Sequence, residues 1–131
     1  MAKQFDLAAY RTSKLETATV EITDPVSGEN TGIKITVASP DSAKYRQISM
    51  KIQNEQLAYA MKNKGKTSAE RLANNALEVL VGATVGWEGI TEGGKDLPCT
   101  PENVKRVYEE VSFIKDQVDE FLGDARNFFK N

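Results

Sequence analysis

Glu16-Thr17-Ala18-Thr19-Val20-Glu21-Ile22-Thr23, then Asp24-Pro25-Val26-Ser27-Gly28-Glu29-Asn30-Thr31-Gly32, then Ile33-Lys34-Ile35-Thr36-Val37: this stretch decides the fold class. In the first run Ala18, Val20 and Ile22 fall on one face, with Thr17, Thr19, Glu21 and Thr23 on the other. In the last run Ile33, Ile35 and Val37 alternate with Lys34 and Thr36. Period-two alternation rich in threonine and β-branched residues marks half-buried strands. The segment between them is dense in turn formers, since proline presets φ and glycine permits positive φ. An antiparallel hairpin over about residues 16–38 follows, and because an isolated hairpin is barely stable in water, its apolar face needs helices to pack on.

Those helices are legible on the C-terminal side. Ser39-Pro40-Asp41 reads as a helix start, with a serine cap, a proline suited to the first turn and an aspartate facing the positive end of the helix dipole. Tyr45, Ile48, Ile52 and Tyr59 then recur at helical spacing, giving a helix over about residues 40–63. Thr67-Ser68-Ala69-Glu70 matches a capping box. It opens a second helix over about residues 68–85, whose broad stripe of Leu72, Ala73, Ala76, Leu77, Leu80 and Val81 predicts the most buried helix of the chain. Gly86, Gly89, Gly93 and Gly94 predict a loop closed by Leu97-Pro98-Cys99. Thr100-Pro101-Glu102 starts a short helix over about 101–111, and Ser112 is a candidate cap for a last amphipathic helix over about 113–128. Residues 1–14 alternate only weakly and suit a short helix or an ordered arm. The expected fold is α+β and mostly α: one domain over residues 1–131, with an N-terminal hairpin packed on a bundle of about four helices.

The composition limits the function. With 131 residues, 40% hydrophobic and 27% charged, the chain can bury a core without metal or disulfide staples. Its start reads as no signal peptide, no apolar run is long enough to span a bilayer, and the lone cysteine suits a cytoplasmic protein. The net charge of −2 hides a division. Residues 44–71 set Lys44, Arg46, Lys51, Lys62, Lys64, Lys66 and Arg71 against Glu55 and Glu70, a net of +5, whereas residues 78–124 carry eleven acids against four cations, a net of −7. The plain reading is two solvated helix faces; the sharper one is complementary halves through which copies associate, weakened by salt. The overall acidic balance argues against a nucleic-acid-binding domain.

There is no histidine, which removes the side chain that titrates near neutrality and the commonest metal ligand. Cys99 therefore has no histidine to activate it and reads as a packed small residue. Asp116, Glu120 and Asp124 lie at i, i+4 and i+8 on a polar helix face and read as solvated carboxylates, not as a tuned acid–base pair. Gly65-Lys66-Thr67 imitates the end of a phosphate-binding loop, but Ala60 stands where the first glycine should be and a helix precedes it. Gly82 and Gly86, four apart, suit close helix–helix approach or helix termination. Neither a catalytic set nor a cofactor site assembles. What stands out is aromatic placement: Trp87 between glycines, read as a plug that closes the core, and Phe128-Phe129 near the C-terminus, which must either fold back or meet a partner.

Three segments carry a resemblance. They are Val81-Gly82-Ala83-Thr84-Val85-Gly86-Trp87-Glu88-Gly89-Ile90, then Leu97-Pro98-Cys99-Thr100-Pro101-Glu102-Asn103-Val104, and then Gln117-Val118-Asp119-Glu120-Phe121-Leu122-Gly123-Asp124 with Asn127-Phe128-Phe129. Together they resemble the C-terminal half of tail assembly chaperones of long-tailed, non-contractile phages, the lambda G protein-like family, over about residues 79–129. Cys99 departs from the phenylalanine expected there. The resemblance implies a non-catalytic scaffold in the host cytoplasm, absent from the finished virion. Such a scaffold coats the tape measure protein, recruits the major tail tube protein, and is often also made in a form extended by ribosomal frameshifting. It makes Gly86, Trp87, Gly89, Ile90 and Pro101 a structural signature. The residues expected to meet partners are Phe128, Phe129, Phe121, Tyr45, Lys62, Lys64 and Lys66, with self-association, no membrane and no cofactor. A structural head–tail or minor tail protein is the alternative, and a small nucleic-acid-binding regulator using residues 44–71 the second.

Overall fold

A computed structural model describes residues 4–63 and 68–130. The elements run α1 (Leu7–Ser13), β1 (Thr17–Thr23), β2 (Asn30–Ala38), α2 (Ala43–Lys62), α3 (Ala69–Ala83), β3 (Thr84–Glu88), β4 (Thr91–Glu92), β5 (Lys95–Asp96), α4 (Pro101–Glu110) and α5 (Ser112–Leu122), closed by a 3-10 turn over Ala125–Phe128. The fold is mixed and mostly helical, with the N-terminal hairpin where the alternation places it. Thr17 pairs with Ala38 and Val20 with Ile35. Asp24 shapes the turn by accepting hydrogen bonds from the Val26 and Ser27 backbone at 2.8 and 3.0 Å, and Gly28 takes φ +76. Those two N–H groups lower the Asp24 pKa.

The alternation puts Val20, Ile22, Ile35 and Val37 on the inner face of the sheet, where they meet Leu80 of α3, Val104, Val107 and Tyr108 of α4, Ile114, Val118 and Leu122 of α5, and Phe128. The outer face keeps its threonines in solvent, Thr19 and Thr36 joined hydroxyl to hydroxyl at 2.9 Å. At the end of β1 the Gln117 side chain imitates a neighbouring strand. Its Oε1 accepts from the Thr23 N–H at 2.9 Å and its Nε2 donates to the Thr23 carbonyl at 2.8 Å, tying α5 to the sheet edge.

Several expectations are corrected. The segment read as the end of a helix and a loop is a third strand: β3 pairs antiparallel with β2, Trp87 opposite Ile35, so the sheet order is β1-β2-β3. The free edge of β2 needs a partner, and Thr84-Val85-Gly86-Trp87-Glu88 supplies β-branched and aromatic residues for it. Gly93 and Gly94, at φ +60 and +83, make the tight turn of a small hairpin between β4 and β5, where only a loop was expected. The cap of α2 is Ser42, which accepts from the Tyr45 backbone; Ser39 is buried one turn earlier, its carbonyl accepting from the Ser42 N–H and hydroxyl. Ser68 caps α3, while Thr67 and the Gly65-Lys66-Thr67 stretch lie outside the described residues. No side chain caps α5, because Val111 forms a one-residue break between α4 and α5. The last helix stops at Leu122, and Asp124 caps the 3-10 turn that follows.

The largest correction concerns α3. Only Leu80 and Ala83 are buried in it, against three residues each in α4 and α5. Its first half packs on the second half of α2 as a two-helix arm, of which little enters the core. Gly82 makes the close crossing possible, since a Cβ there would come within 2.8 Å of Ile48 Cγ2. Thr100 caps α4 and Pro101 occupies its first turn, as read from the sequence.

Where α3 gives way to β3, two hydroxyls are buried together. Thr84 Oγ1 donates its one proton to the Leu80 carbonyl at 2.9 Å, so at 2.7 Å from Tyr108 it must accept the phenol proton. Burial pushes the Tyr108 pKa up to about 12, well above an ordinary tyrosine. Folding therefore favours the neutral phenol: its contribution is full below the unfolded value near 10 and is lost as pH rises through about 12. Tyr45, raised first by burial and then by Asp119, acts in the same direction. Tyr108→Phe is expected to cost about 1 kcal/mol at neutral pH by orphaning the Thr84 acceptor. It should also flatten the alkaline loss of stability. Urea midpoints of both proteins at pH 8 and pH 11 test this, and parallel losses would contradict it.

Candidate functional site

The aromatic residues expected to meet partners are largely used inside the chain. Phe128 is 3% exposed and part of the core, and Phe121 packs edge-on against it with ring centroids 5.6 Å apart. Phe129 is half-buried and rests on Tyr10 at 5.6 Å, which in turn meets Phe5 at 5.8 Å. The backbone reinforces this closure: Leu15 N–H donates to the Phe128 carbonyl at 2.8 Å and Lys130 N–H to the Ser13 carbonyl at 2.7 Å, zipping the C-terminal residues against the segment before β1. Phe128-Phe129 thus fold back. Tyr45 is half-buried against the core. Lys62 is exposed at the end of α2, and Lys64 and Lys66 lie outside the described residues. Among the described residues, the expected partner residues are not brought together into one surface.

Of the signature residues, Trp87 and Gly89 shape the fold. Trp87 is half-buried over the core and its Nε1 donates to the Leu97 carbonyl at 2.8 Å, fastening the β4–β5 hairpin to the sheet. Gly89, at φ +86, turns the chain out of β3 with its Cα against the Gly32 carbonyl. Arg106 of α4 grips Glu92 through two hydrogen bonds of 2.7 and 3.1 Å, which lowers the Glu92 pKa. Burial pushes the Cys99 thiol up, away from the reactive thiolate. Asp116 and Glu120 are exposed, while Asp124 is lowered by its hydrogen bonds with Arg126, the opposite of what a general acid needs. Among the described residues, no three of the His, Cys, Asp and Glu side chains gather so as to hold a metal ion, and no helix is long and apolar enough to cross a membrane.

The unsatisfied surface lies on the arm. Ile52, Leu57 and Ala60 of α2 and Leu72, Ala76 and Val79 of α3 line a groove of about 480 Å³, and its polar positions are Ser49, Gln53, Gln56 and Asn75. None of these ten residues carries a charge. Leu57 and Leu72, on opposite walls, are 62% and 52% exposed, with Met50 and Met61 further along the same side of α2 at 61% and 76%. Large side chains so exposed on one contiguous surface mark an interaction site. On the opposite flank, around Ile48 and Gly82, the arm faces α4 across a pocket lined by Lys51, Glu55 and Glu78 and, from α4, by Glu102 and Lys105.

The groove is preformed. Arg71 Nε and Asn75 Nδ2 both donate to Gln56 Oε1, at 2.8 and 3.0 Å, and the Arg71 guanidinium stacks 3.6 Å above the Tyr59 ring. These contacts pin α3 to α2 beyond the reach of the core, so the two walls keep their spacing without an occupant. Such a groove, with apolar walls and neutral amides, suits the apolar face of an amphipathic helix. The charge division also maps onto the fold: Lys44, Arg46, Lys51 and Lys62 lie on α2, and among the described residues none of them forms an ion pair.

Sequence reasoning missed this site because it followed one apolar stripe on α2, at Tyr45, Ile48, Ile52 and Tyr59. A second stripe at Met50, Leu57 and Met61, spaced i, i+7 and i+11, was the signal. Comparison with known protein families, with characterised proteins and with solved structures gives no match to the chain.

Proposed function

We propose that this chain is a non-catalytic phage tail assembly chaperone, and that the α2–α3 groove holds an amphipathic helix of the tape measure protein. The observation that carries the reading is the uncharged and exposed groove, on a molecule whose Trp87, Phe121, Phe128 and Phe129 pack within the chain. The resemblance over residues 79–129 supplies the biological setting. A long tape helix in water exposes an apolar stripe that invites aggregation, and a groove covering a few turns at a time keeps it soluble without committing it to a final contact. In this role the chain works in the host cytoplasm, brings major tail tube protein to the coated tape, and leaves before the tail is finished. A frameshift-extended form belongs to the same proposal.

Co-expression tests it. Tape measure protein made alone is expected to be largely insoluble, and soluble in complex with this chain when both are made together. Purified virions should lack the chain. Finding it there in stoichiometric amounts would favour a head–tail or minor tail component, and a tape protein equally insoluble with and without it would overturn the chaperone reading.

A further inference from the structure

We propose that the outer part of the α2–α3 arm opens and closes as a unit of its own while the rest of the fold stays intact, and that a polar clasp of Gln56, Tyr59, Arg71 and Asn75 closes it. Burial draws the boundary. Over residues 53–63 and 68–76 no side chain is buried, and the half-buried ones are Gln56, Ala60, Arg71 and Asn75. Three of those four belong to the clasp, in which Arg71 Nε and Asn75 Nδ2 share the Gln56 Oε1 acceptor and the Arg71 guanidinium lies on the Tyr59 ring. Toward the body the pattern changes: Ile52, Leu80 and Ala83 are buried, and Gly82 lets Ile48 close against α3. Apolar packing holds the base of the arm, and polar contacts fasten its outer part.

The two kinds of contact differ in how firmly they hold. The outer stretches of α2 and α3 are each shorter than the roughly 12–15 residues that an isolated helix needs to be even marginally stable in water, so neither persists without the other. The clasp that joins them gains little net free energy, because water offers the same polar groups partners when the arm opens. The body, by contrast, is held by a continuous apolar core that runs from Val20 to Phe128. Segments with few buried apolar contacts open at a lower free energy than the core they are attached to. The arm is therefore closed most of the time yet opens far more often than the molecule unfolds. Opening parts the walls that carry Leu57 and Leu72, so the clasp controls the groove whatever the groove binds.

Hydrogen exchange followed by mass spectrometry, on the full chain without a partner, tests this. Amides of the outer arm are expected to exchange at least about a hundredfold faster, relative to their intrinsic rates, than the slowest amides of β2, α4 and α5. Two variants then separate local opening from global unfolding. Ile114→Val, in the core, should speed the core amides about two- to tenfold and leave the arm amides unchanged, since the arm opens with residue 114 still packed. Arg71→Ala weakens the closed state relative to every open one, so it should speed the arm amides about tenfold and the core amides with them. Arm amides as slow as those of the core, an arm that Ile114→Val speeds as much as the core, or an Arg71→Ala arm that exchanges like wild type would each overturn the proposal. None of these results depends on the groove's assignment as a helix site, which a separate failure to bind a helix would count against.

Discussion

Replacing Gly89 by alanine is expected to lower the unfolding free energy by about 3 kcal/mol or more, whereas the same change at Gly86 shifts it by no more than about 0.5 kcal/mol. The two glycines stand three residues apart in the stretch that carries the resemblance, yet the fold asks different things of them. Gly89 sits at φ +86, where an L side chain costs on the order of 1 to 2 kcal/mol. A Cβ there would also run into the Gly32 carbonyl oxygen and approach the Ile33 Cα to 3.1 Å. Both obstacles are backbone, so relief requires pulling the ends of β2 and β3 apart. Gly86 has ordinary φ and nothing within 4 Å of the added methyl, and a small gain from the stiffer unfolded chain offsets any local loss. Trp87, the single tryptophan, lies between them and reports unfolding by its fluorescence. Equal effects at the two positions would show that the turn is not the rigid element described.

Charging both walls of the arm groove, Leu57→Glu with Leu72→Glu, is expected to weaken binding of a tape measure helix more than a hundredfold while leaving the fold intact. Each leucine presents half or more of its surface to solvent. Burying that remainder under a helix contributes about 1 to 1.5 kcal/mol per side chain at roughly 25 cal/mol per Å². Losing both costs about 2 to 3 kcal/mol, and desolvating two carboxylates in the same contact adds to it. In the free protein the replacements face water on helices that accept glutamate readily, so stability should move by no more than about 0.5 kcal/mol. Unfolding midpoints and binding isotherms on the same samples separate the two effects. A variant that loses both together would point to a structural role for the arm face.

How much of this was legible in the sequence depends on which forces act locally. The hairpin could be read because period-two alternation and the Asp24–Gly32 turn are properties of adjacent residues. The start of α4 could be read because Thr100 and Pro101 act within one helical turn. The third strand could not: residues 84–88 follow a helical pattern without a break, and only the open edge of β2, fifty residues earlier in the chain, turns them into a strand. The burial of α3 was overestimated for a similar reason. Leu72 and Ala76 continue the stripe of Leu80, but the core ends before it reaches them. Phe128-Phe129 drew attention as an exposed end, and the pairing of residues 128–130 with 13–15 that hides them is a contact across almost the whole chain. The stripe that does face solvent, Met50, Leu57 and Met61, was present in the sequence at helical spacing. It was obscured because periodicity reports apolar faces without saying which of two will be covered.

The most direct test titrates a fluorescently labelled amphipathic segment of the tape measure protein into the wild-type chain and into the Leu57→Glu, Leu72→Glu variant, following anisotropy. Saturable binding by wild type is expected, little changed by salt because the groove is uncharged, with loss of that binding in a variant that unfolds at the same urea concentration. Equal binding by the two proteins, or none by wild type, would contradict it.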